Sequence, residues 1–360
     1  MANRLLLAAG GTGGHMFPAQ ALAETLKAQG WDIAMMTDAR GKKHTGKIPA
    51  DPILEVKAAS ITPRKPLAAI MGVGKLTKGV VQARRFMREW KPDVVVGFGG
   101  YPAFPAMYAA QKLGLPTIIH EQNAVLGRVN RVFAAKATCV ASGFETLHKC
   151  PEGANHVCTG NPMRAQIIGA VPKKYAAPTA KGDINILIVG GSLGAKIVSE
   201  TMPAAIAQLP KKLRSRIKVV QQTRPEYQDY AKQTYAEAGI EAICETFFGD
   251  IETHLARAHY VVGRAGASSV SEIAAMGKPS LLVPLKIAMD DHQTGNALSL
   301  QRLNAADILP ESEFTPERVK TTLEARLNDS TWLRTAAAAA RAQGRPNAAA
   351  ALAELVINAA

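Results

Sequence analysis

Leu5-Leu6-Leu7-Ala8-Ala9-Gly10-Gly11-Thr12-Gly13-Gly14-His15 stands near the N-terminus, and Ile186-Leu187-Ile188-Val189-Gly190-Gly191-Ser192-Leu193-Gly194-Ala195 repeats its plan in the second half. Each is a short apolar run, suited to a buried strand, that passes into a glycine loop and then a helical pattern. Glycine lets the chain turn sharply and leaves backbone N–H groups uncovered at a helix start, where the macrodipole favours phosphate. The first helix then carries Pro18 early, Leu22 and Leu26 facing inward, and Gly30 to stop it.

Outward from these two stretches, apolar runs alternate with helical patterns, as in parallel α/β sheets. Strands are predicted near Leu5–Ala8, Ile33–Met36, Val94–Val96, Thr117–Ile119 and Thr138–Ala141, then near Ile184–Val189, Ile217–Val220, Ile243–Thr246, Tyr260–Val262 and Leu281–Val283. The expected fold class is α/β, with two Rossmann-like parallel-sheet domains facing a central cleft. The first is expected over residues 1–163 and the second over 164–340. A helical, alanine-rich tail over 341–360 is expected to return to the first domain, and residues 160–183 read as a linker. Ligands of such sheets sit beyond the carboxyl ends of the strands. Gly10–His15, Gly97–Tyr101, His120–Asn123, Gly190–Ala195, Gly263–Ser269 and Asp290–Gln293 all follow predicted strands.

Composition narrows the classes. At 360 residues, with 47% hydrophobic and 20% charged, the chain is globular rather than disordered. Cys139, Cys150, Cys158 and Cys244 show no C-x-x-C spacing, so neither disulfide nor structural zinc is expected. The early strand argues against a signal peptide. The longest uncharged stretch, Val94 to Gln111, holds Pro102, Pro105 and three glycines, which argues against a spanning helix. A soluble or peripheral protein is expected. The net charge of +14 fits nucleic acid, anionic membrane or anionic substrates. Between Arg64 and Lys91 lie eight Lys/Arg and one acid, Glu89. With 5% aromatic residues and no recognised motif, nucleic-acid binding ranks last. A dinucleotide reading survives weakly: the first loop lacks the third glycine of that fingerprint, while Asp38 could mimic its acidic ribose ligand.

Five segments, in order, carry a resemblance: Gly10-Gly11-Thr12-Gly13-Gly14-His15; Lys91-Pro92-Asp93-Val94-Val95 with Gly99-Gly100-Tyr101; His120-Glu121-Gln122-Asn123; Gly160-Asn161-Pro162-Met163-Arg164; and Ser271-Glu272-Ile273-Ala274. Between Leu5 and Ala297 the chain resembles the MurG-type N-acetylglucosaminyltransferases. Their fold is GT-B, and they make lipid II from lipid I and UDP-N-acetylglucosamine by an inverting transfer to the muramyl sugar. The alternative is another GT-B enzyme, a glycolipid glycosyltransferase or a UDP-sugar epimerase. The resemblance implies a peripheral protein on the cytoplasmic face of the bacterial inner membrane, with an anionic membrane surface and cell-wall synthesis or division proteins as partners.

The same resemblance distributes roles. Gly13, Gly14, His15, Gly99, Gly100, Tyr101, Glu121 and Asn123 would meet the acceptor. His15 leads as general base, since histidine titrates near neutrality, and Glu121 is its rival. Thr12, Gly13, Gly14, Asn123, Arg164, Ser192, Phe247, Phe248, Ala267, Ser268, Ser269, Glu272 and Gln293 are the donor-side candidates. Ser192 and Arg164 would meet the diphosphate, Phe247 and Phe248 uracil, and Glu272 the ribose hydroxyls. The N–H groups of Ala267 to Ser269 would hold phosphate, and Gln293 a sugar hydroxyl. Ser269-Val270-Ser271-Glu272 also fits a capping box. Asp290-Asp291-His292-Gln293 offers metal-ligand types, yet in this fold helix N-termini and backbone amides neutralise the leaving diphosphate, so neither metal nor cofactor is expected. The chain departs from the family pattern at His292 and at Lys286-Ile287-Ala288.

Overall fold

The computed structural model describes residues 2–11, 13–57, 66–191 and 194–360. The chain divides into two compact units, Met1–Ala165 with Arg345–Ala360, and Gln166–Gly344. The first unit begins β1 (Arg4–Ala8), α1 (Gly13–Lys27), β2 (Asp32–Thr37), β3 (Ile53–Glu55), α2 (Pro66–Trp90) and β4 (Val94–Gly97). It continues with α3 (Phe104–Lys112), β5 (Thr117–Glu121), α4 (Arg128–Ala134), β6 (Cys139–Ser142) and β7 (His156–Cys158), and α5 (Ala165–Gly169) crosses to the second unit. That unit opens with β8 (Ile184–Val189), α6 (Lys196–Ala207), α7 (Lys211–Arg214), β9 (Ile217–Gln222), α8 (Gln228–Glu237) and β10 (Glu241–Glu245). Then come α9 (Ile251–Arg257), β11 (Tyr260–Arg264), α10 (Ala267–Met276), β12 (Ser280–Val283), α11 (His292–Gln301), β13 (Ala306–Ile308), α12 (Pro316–Leu327) and α13 (Ser330–Gln343). α14 (Ala348–Ala359) belongs to the first unit.

All strand pairs are parallel, in the orders β3-β2-β1-β4-β5-β6-β7 and β10-β9-β8-β11-β12-β13. Parallel sheets are covered on both faces, which explains the unbroken apolar runs. Alternate residues of β1 serve opposite sides. Leu5 and Leu7 pack with Leu22 and Leu26 of α1 and Leu352 and Val356 of α14. Leu6 packs with Ala83 and Met87 of α2 and Ala106 and Ala110 of α3. In the second unit Ile184, Ile186 and Ile188 meet Val198 and Met202 of α6, Leu323 of α12 and Leu333 of α13.

Three details differ from the expectations. The alanine-rich tail is not one helix: it breaks over Gly344-Arg345-Pro346-Asn347, where Pro346 lacks an N–H and pushes its predecessor out of helical geometry. α13 packs on α10, whereas α14 packs on α1. The strand predicted to end at Ile119 runs on to Glu121, because β6 continues to pair with it at His120↔Ala141 and Glu121↔Ser142. The residues read as a linker include α5 and the buried Asn161 and Met163.

Candidate active site

In each sheet the strand order reverses beside the first strand, between β1 and β4 and between β8 and β11. The loops leaving those strands open the switch-point crevice where α/β sheets bind ligands. Gly11 and Gly191, the second glycines of the paired loops, hold φ of 87° and 84°, a left-handed turn that a side chain would strain. Asp38, at the end of β2, braces the first loop. Its Oδ1 accepts from Gly11 N at 3.0 Å and Gly41 N at 2.9 Å, and its Oδ2 accepts from Arg40 Nε at 3.1 Å. Burial works to raise this carboxyl, but the Gly41 and Gly11 N–H groups and Arg40 outweigh it and hold it below the ordinary carboxylate value. Its oxygens are engaged within the protein, which removes the support Asp38 gave to a dinucleotide reading.

His15 lies half-buried in the first turn of α1. Its Nδ1 is 2.8 Å from Gln122 Oε1. Gln122 Nε2 donates to the His120 carbonyl at 2.9 Å and lies 3.0 Å from His120 Nδ1, while His120 Nε2 is 3.1 Å from Gly160 O. The His120 ring is fully buried, and that desolvation, helped by nearby His15, pushes it down to about 4 against the pull of Gly160 O. At neutral pH it is uncharged. The other His15 nitrogen, Nε2, lies beside Gly100, where an added Cβ would stand 3.6 Å away.

Glu121, 2% exposed, is held differently. Its Oε1 accepts from Asn123 N at 3.1 Å and Asn123 Nδ2 at 3.2 Å. Its Oε2 accepts from Gly127 N and Asn130 Nδ2, both at 2.8 Å. Four donors converge on one buried carboxylate, a geometry that anchors the 122–130 segment and speaks against Glu121 as a base. Tyr101, between Gly100 and α3, packs against the core under β4 and β5. Arg164 stacks over the Phe17 ring at 5.0 Å, which places this donor-side candidate in the first unit beside α1. Gly13 and Gly14 form the start of α1, and Gly99 holds φ of 84°. Thr12 and Ser192 lie outside the described residues.

In the second unit, α10 is capped at Gly266, whose carbonyl accepts from Val270 N at 2.9 Å. The N–H groups of Ala267, Ser268 and Ser269 therefore precede the helical ladder and form an anion-binding terminus. This start also corrects the capping-box reading: Ser269 is the third helical residue and Glu272 the sixth, so neither caps the helix. Arg264, at the end of β11, pairs with Glu311 and donates to Val283 O at 3.2 Å. Glu311 in turn accepts from Lys286 N at 3.1 Å. Burial raises its carboxyl, but Arg264 and the Lys286 N–H outweigh that and leave it below the ordinary value. Gln293 Oε1 accepts from Leu285 N at 2.9 Å. Both contacts fix the irregular 285–291 segment, in which Asp290 and Asp291 hold φ of 55° and 54°. Phe247 stands 77% exposed after β10, while Phe248 packs edge-on against His254 at 5.0 Å.

Models of the glycosyltransferase family 28 N-terminal and C-terminal domains match residues 5–142 and 185–352. The chain is 53% identical, over 98% of its length and 97% of the relative, to the UDP-N-acetylglucosamine–N-acetylmuramyl-(pentapeptide) pyrophosphoryl-undecaprenol N-acetylglucosamine transferase of Maricaulis maris. The chain belongs to glycosyltransferase family 28. The crystal structure of Acinetobacter baumannii MurG matches with a TM-score of 0.83 at 31% identity, covering 99% of both chains. A putative UDP-N-acetylglucosamine 2-epimerase from Listeria monocytogenes shares the fold alone, at 16% identity and a TM-score of 0.65 over 97% of this chain and 94% of that one.

Four further side chains of this family 28 glycosyltransferase complete these arrangements, His120, Gln122, Asn130 and Arg264. His120 and Gln122 stand in the same four-residue segment as Glu121 and Asn123, and both are buried. Asn130 sits on α4 and becomes relevant only because its amide reaches Glu121. Arg264 was passed over as loop, although an arginine ending an apolar strand needs a buried partner, and Glu311 supplies it.

Proposed function

We propose that the chain transfers N-acetylglucosamine from UDP-N-acetylglucosamine to the muramyl sugar of lipid I, forming lipid II by a single inverting displacement. The observation that carries this reading is the seating of His15 at the switch point of the first sheet. One ring nitrogen is tied to Gln122 and the other lies beside the Gly99-Gly100 turn. The acceptor hydroxyl oxygen attacks the anomeric carbon, the bond from that carbon to the β-phosphate oxygen breaks, and His15 takes the hydroxyl proton. UDP leaves with the electron pair. One displacement inverts the anomeric centre.

On the donor side, the N-terminal amides of α10 receive phosphate charge, Glu272 accepts from the ribose hydroxyls, and exposed Phe247 stacks on uracil. Such amides stabilise a leaving diphosphate without a metal ion, and we assign none. The acceptor carries an undecaprenyl chain and stays in the bilayer. We therefore place the enzyme peripherally on the cytoplasmic face of the inner membrane; among the described residues no helix is long and apolar enough to cross it. Lys75 and Lys78 on α2 are exposed and suit an anionic surface. The same stretch carries the apolar Leu67, Ile70, Met71 and Val73, flanked on the other side by Arg64 and Lys65; the side chains of these six lie outside the described residues.

The test is transfer of radiolabelled N-acetylglucosamine from UDP to a short-chain lipid I analogue. His15→Ala should leave donor affinity unchanged and lower turnover roughly 100- to 10,000-fold. Turnover within a few-fold of the parent would remove His15 from the reaction.

A further inference from the structure

A neutral imidazole carries one proton, on either nitrogen, and only the bare nitrogen can accept another. Around His15 that choice is forced by two backbone carbonyls, which can only accept. The first is the carbonyl of His120, 2.9 Å from the Gln122 side-chain atom Nε2. That atom must be the amide nitrogen, because the reverse orientation would set oxygen against oxygen. The amide oxygen of Gln122 then faces His15 Nδ1 at 2.8 Å. It has no hydrogen to give, so Nδ1 must donate.

The second carbonyl reaches the same answer from the other end. Gly160 O lies 3.1 Å from His120 Nε2, so that nitrogen carries the hydrogen. The buried His120 ring is neutral, which leaves its Nδ1 bare to accept from Gln122 Nε2 at 3.0 Å. Asn161 Nδ2 donates to the backbone carbonyl of Gln122 at 2.9 Å and holds the residue in place. Both His120 and Gln122 are buried, at 0% and 2% exposure, so water does not compete for these bonds.

We infer that Gln122 and His120 are positioning residues that lock His15 in its Nδ1–H tautomer, presenting a bare Nε2 beside Gly100 to the acceptor hydroxyl. The inference rests on the reading of His15 as the base. No proton travels along the chain, since a carboxamide neither gains nor loses one. His15 Nε2 receives the hydroxyl proton, Nδ1–H goes on donating to Gln122, and the proton later leaves from Nε2.

The direct test needs no variant. In protein labelled with 15N-histidine at pH 8, two-bond proton–nitrogen spectra report the tautomer of each of the 8 histidines, and His15→Ala identifies the resonances of His15. His15 should show a protonated Nδ1 and His120 a protonated Nε2. A parent spectrum with His15 protonated at Nε2 overturns the inference. Gln122→Met, close in shape but without polar atoms, should release the tautomer and lower kcat roughly 10- to 1,000-fold, with KM for UDP-N-acetylglucosamine unchanged. A Gln122→Met protein that retains the parental His15 tautomer refutes the role given to Gln122. Full turnover in His15→Ala would instead refute the base reading, with the tautomer result left standing.

Discussion

Glu121→Gln separates a base from an anchor. The carboxylate takes two bonds on each oxygen, and the pair from Gly127 N and Asn130 Nδ2, at 2.8 Å, is the shorter. A glutamine would keep its oxygen there and turn its NH2 toward Asn123 N and Nδ2, which are donors themselves. The Asn123 side chain can rotate away, but its backbone N–H cannot. Bonds to a charged acceptor contribute about 1.5–3 kcal/mol each, and a buried donor left unpaired costs about 1–3 kcal/mol. Loss of about 2–4 kcal/mol of local stability follows. Native-state hydrogen exchange reads it directly: at about 1.4 kcal/mol per factor of ten, exchange at the Asn123 amide should accelerate roughly 30- to 1,000-fold. Amides of the second unit should not respond. Turnover of the variant at low temperature should fall less than that of His15→Ala. Unchanged exchange at Asn123, combined with a loss of turnover as deep as His15→Ala gives, would refute the anchor and return Glu121 to the role of base.

Glu272→Ala should weaken UDP-N-acetylglucosamine binding by about 1.5–3 kcal/mol in calorimetry while the protein stays folded, since Glu272 stands at the sixth position of α10 rather than at its cap. A fall in melting temperature with donor affinity intact would restore the structural reading. His120 sets a pH dependence: its ring titrates at about 4 in the folded protein against an ordinary 6.5. The unfolded chain takes the proton first, so this contribution is whole above pH 6.5 and fades as pH falls toward 4, by up to about 3 kcal/mol. The urea midpoint of His120→Gln should show a shallower decline over that window, and parallel curves would contradict it. Lys75→Glu with Lys78→Glu should reduce binding to anionic vesicles at low salt, on the order of 1 kcal/mol for each basic residue removed. Equal binding of parent and double variant would make that end of α2 an ordinary solvated surface.

The architecture was legible where a segment's own residues decide its state. The runs at Leu5–Ala8 and Ile184–Val189 are buried on both faces, so hydrophobicity alone marks them as central strands. The edge strands β3, β7 and β13 have three residues each, too short for any periodicity to register, and they exist because a neighbouring strand offers them a ladder. The tail misled for a related reason. Alanine favours helix everywhere, so composition predicted one helix where Gly344 and Pro346 made two. Those two then pack in different units, and no propensity encodes that outcome.

The candidate site divides along the same line. Residues that act where they stand, such as the glycines with positive φ or the first amides of α10, follow from local pattern, because a turn or a helix start produces the chemistry by itself. Residues that act through a partner do not. His15 and Gln122 are 107 positions apart, and His120 and Gly160 are 40 apart. Only the parallel pairing of β1 with β4, β4 with β5 and β5 with β6 brings these segments to one end of one sheet. A histidine, a glutamine, a second histidine and a carbonyl then have one consistent assignment of hydrogens, which none of the four residues carries alone. The glycine loop identifies a place for a ligand. The ordering of protons behind it is a property of the sheet, and the base proposed at position 15 depends on that ordering to keep its bare nitrogen turned toward Gly100.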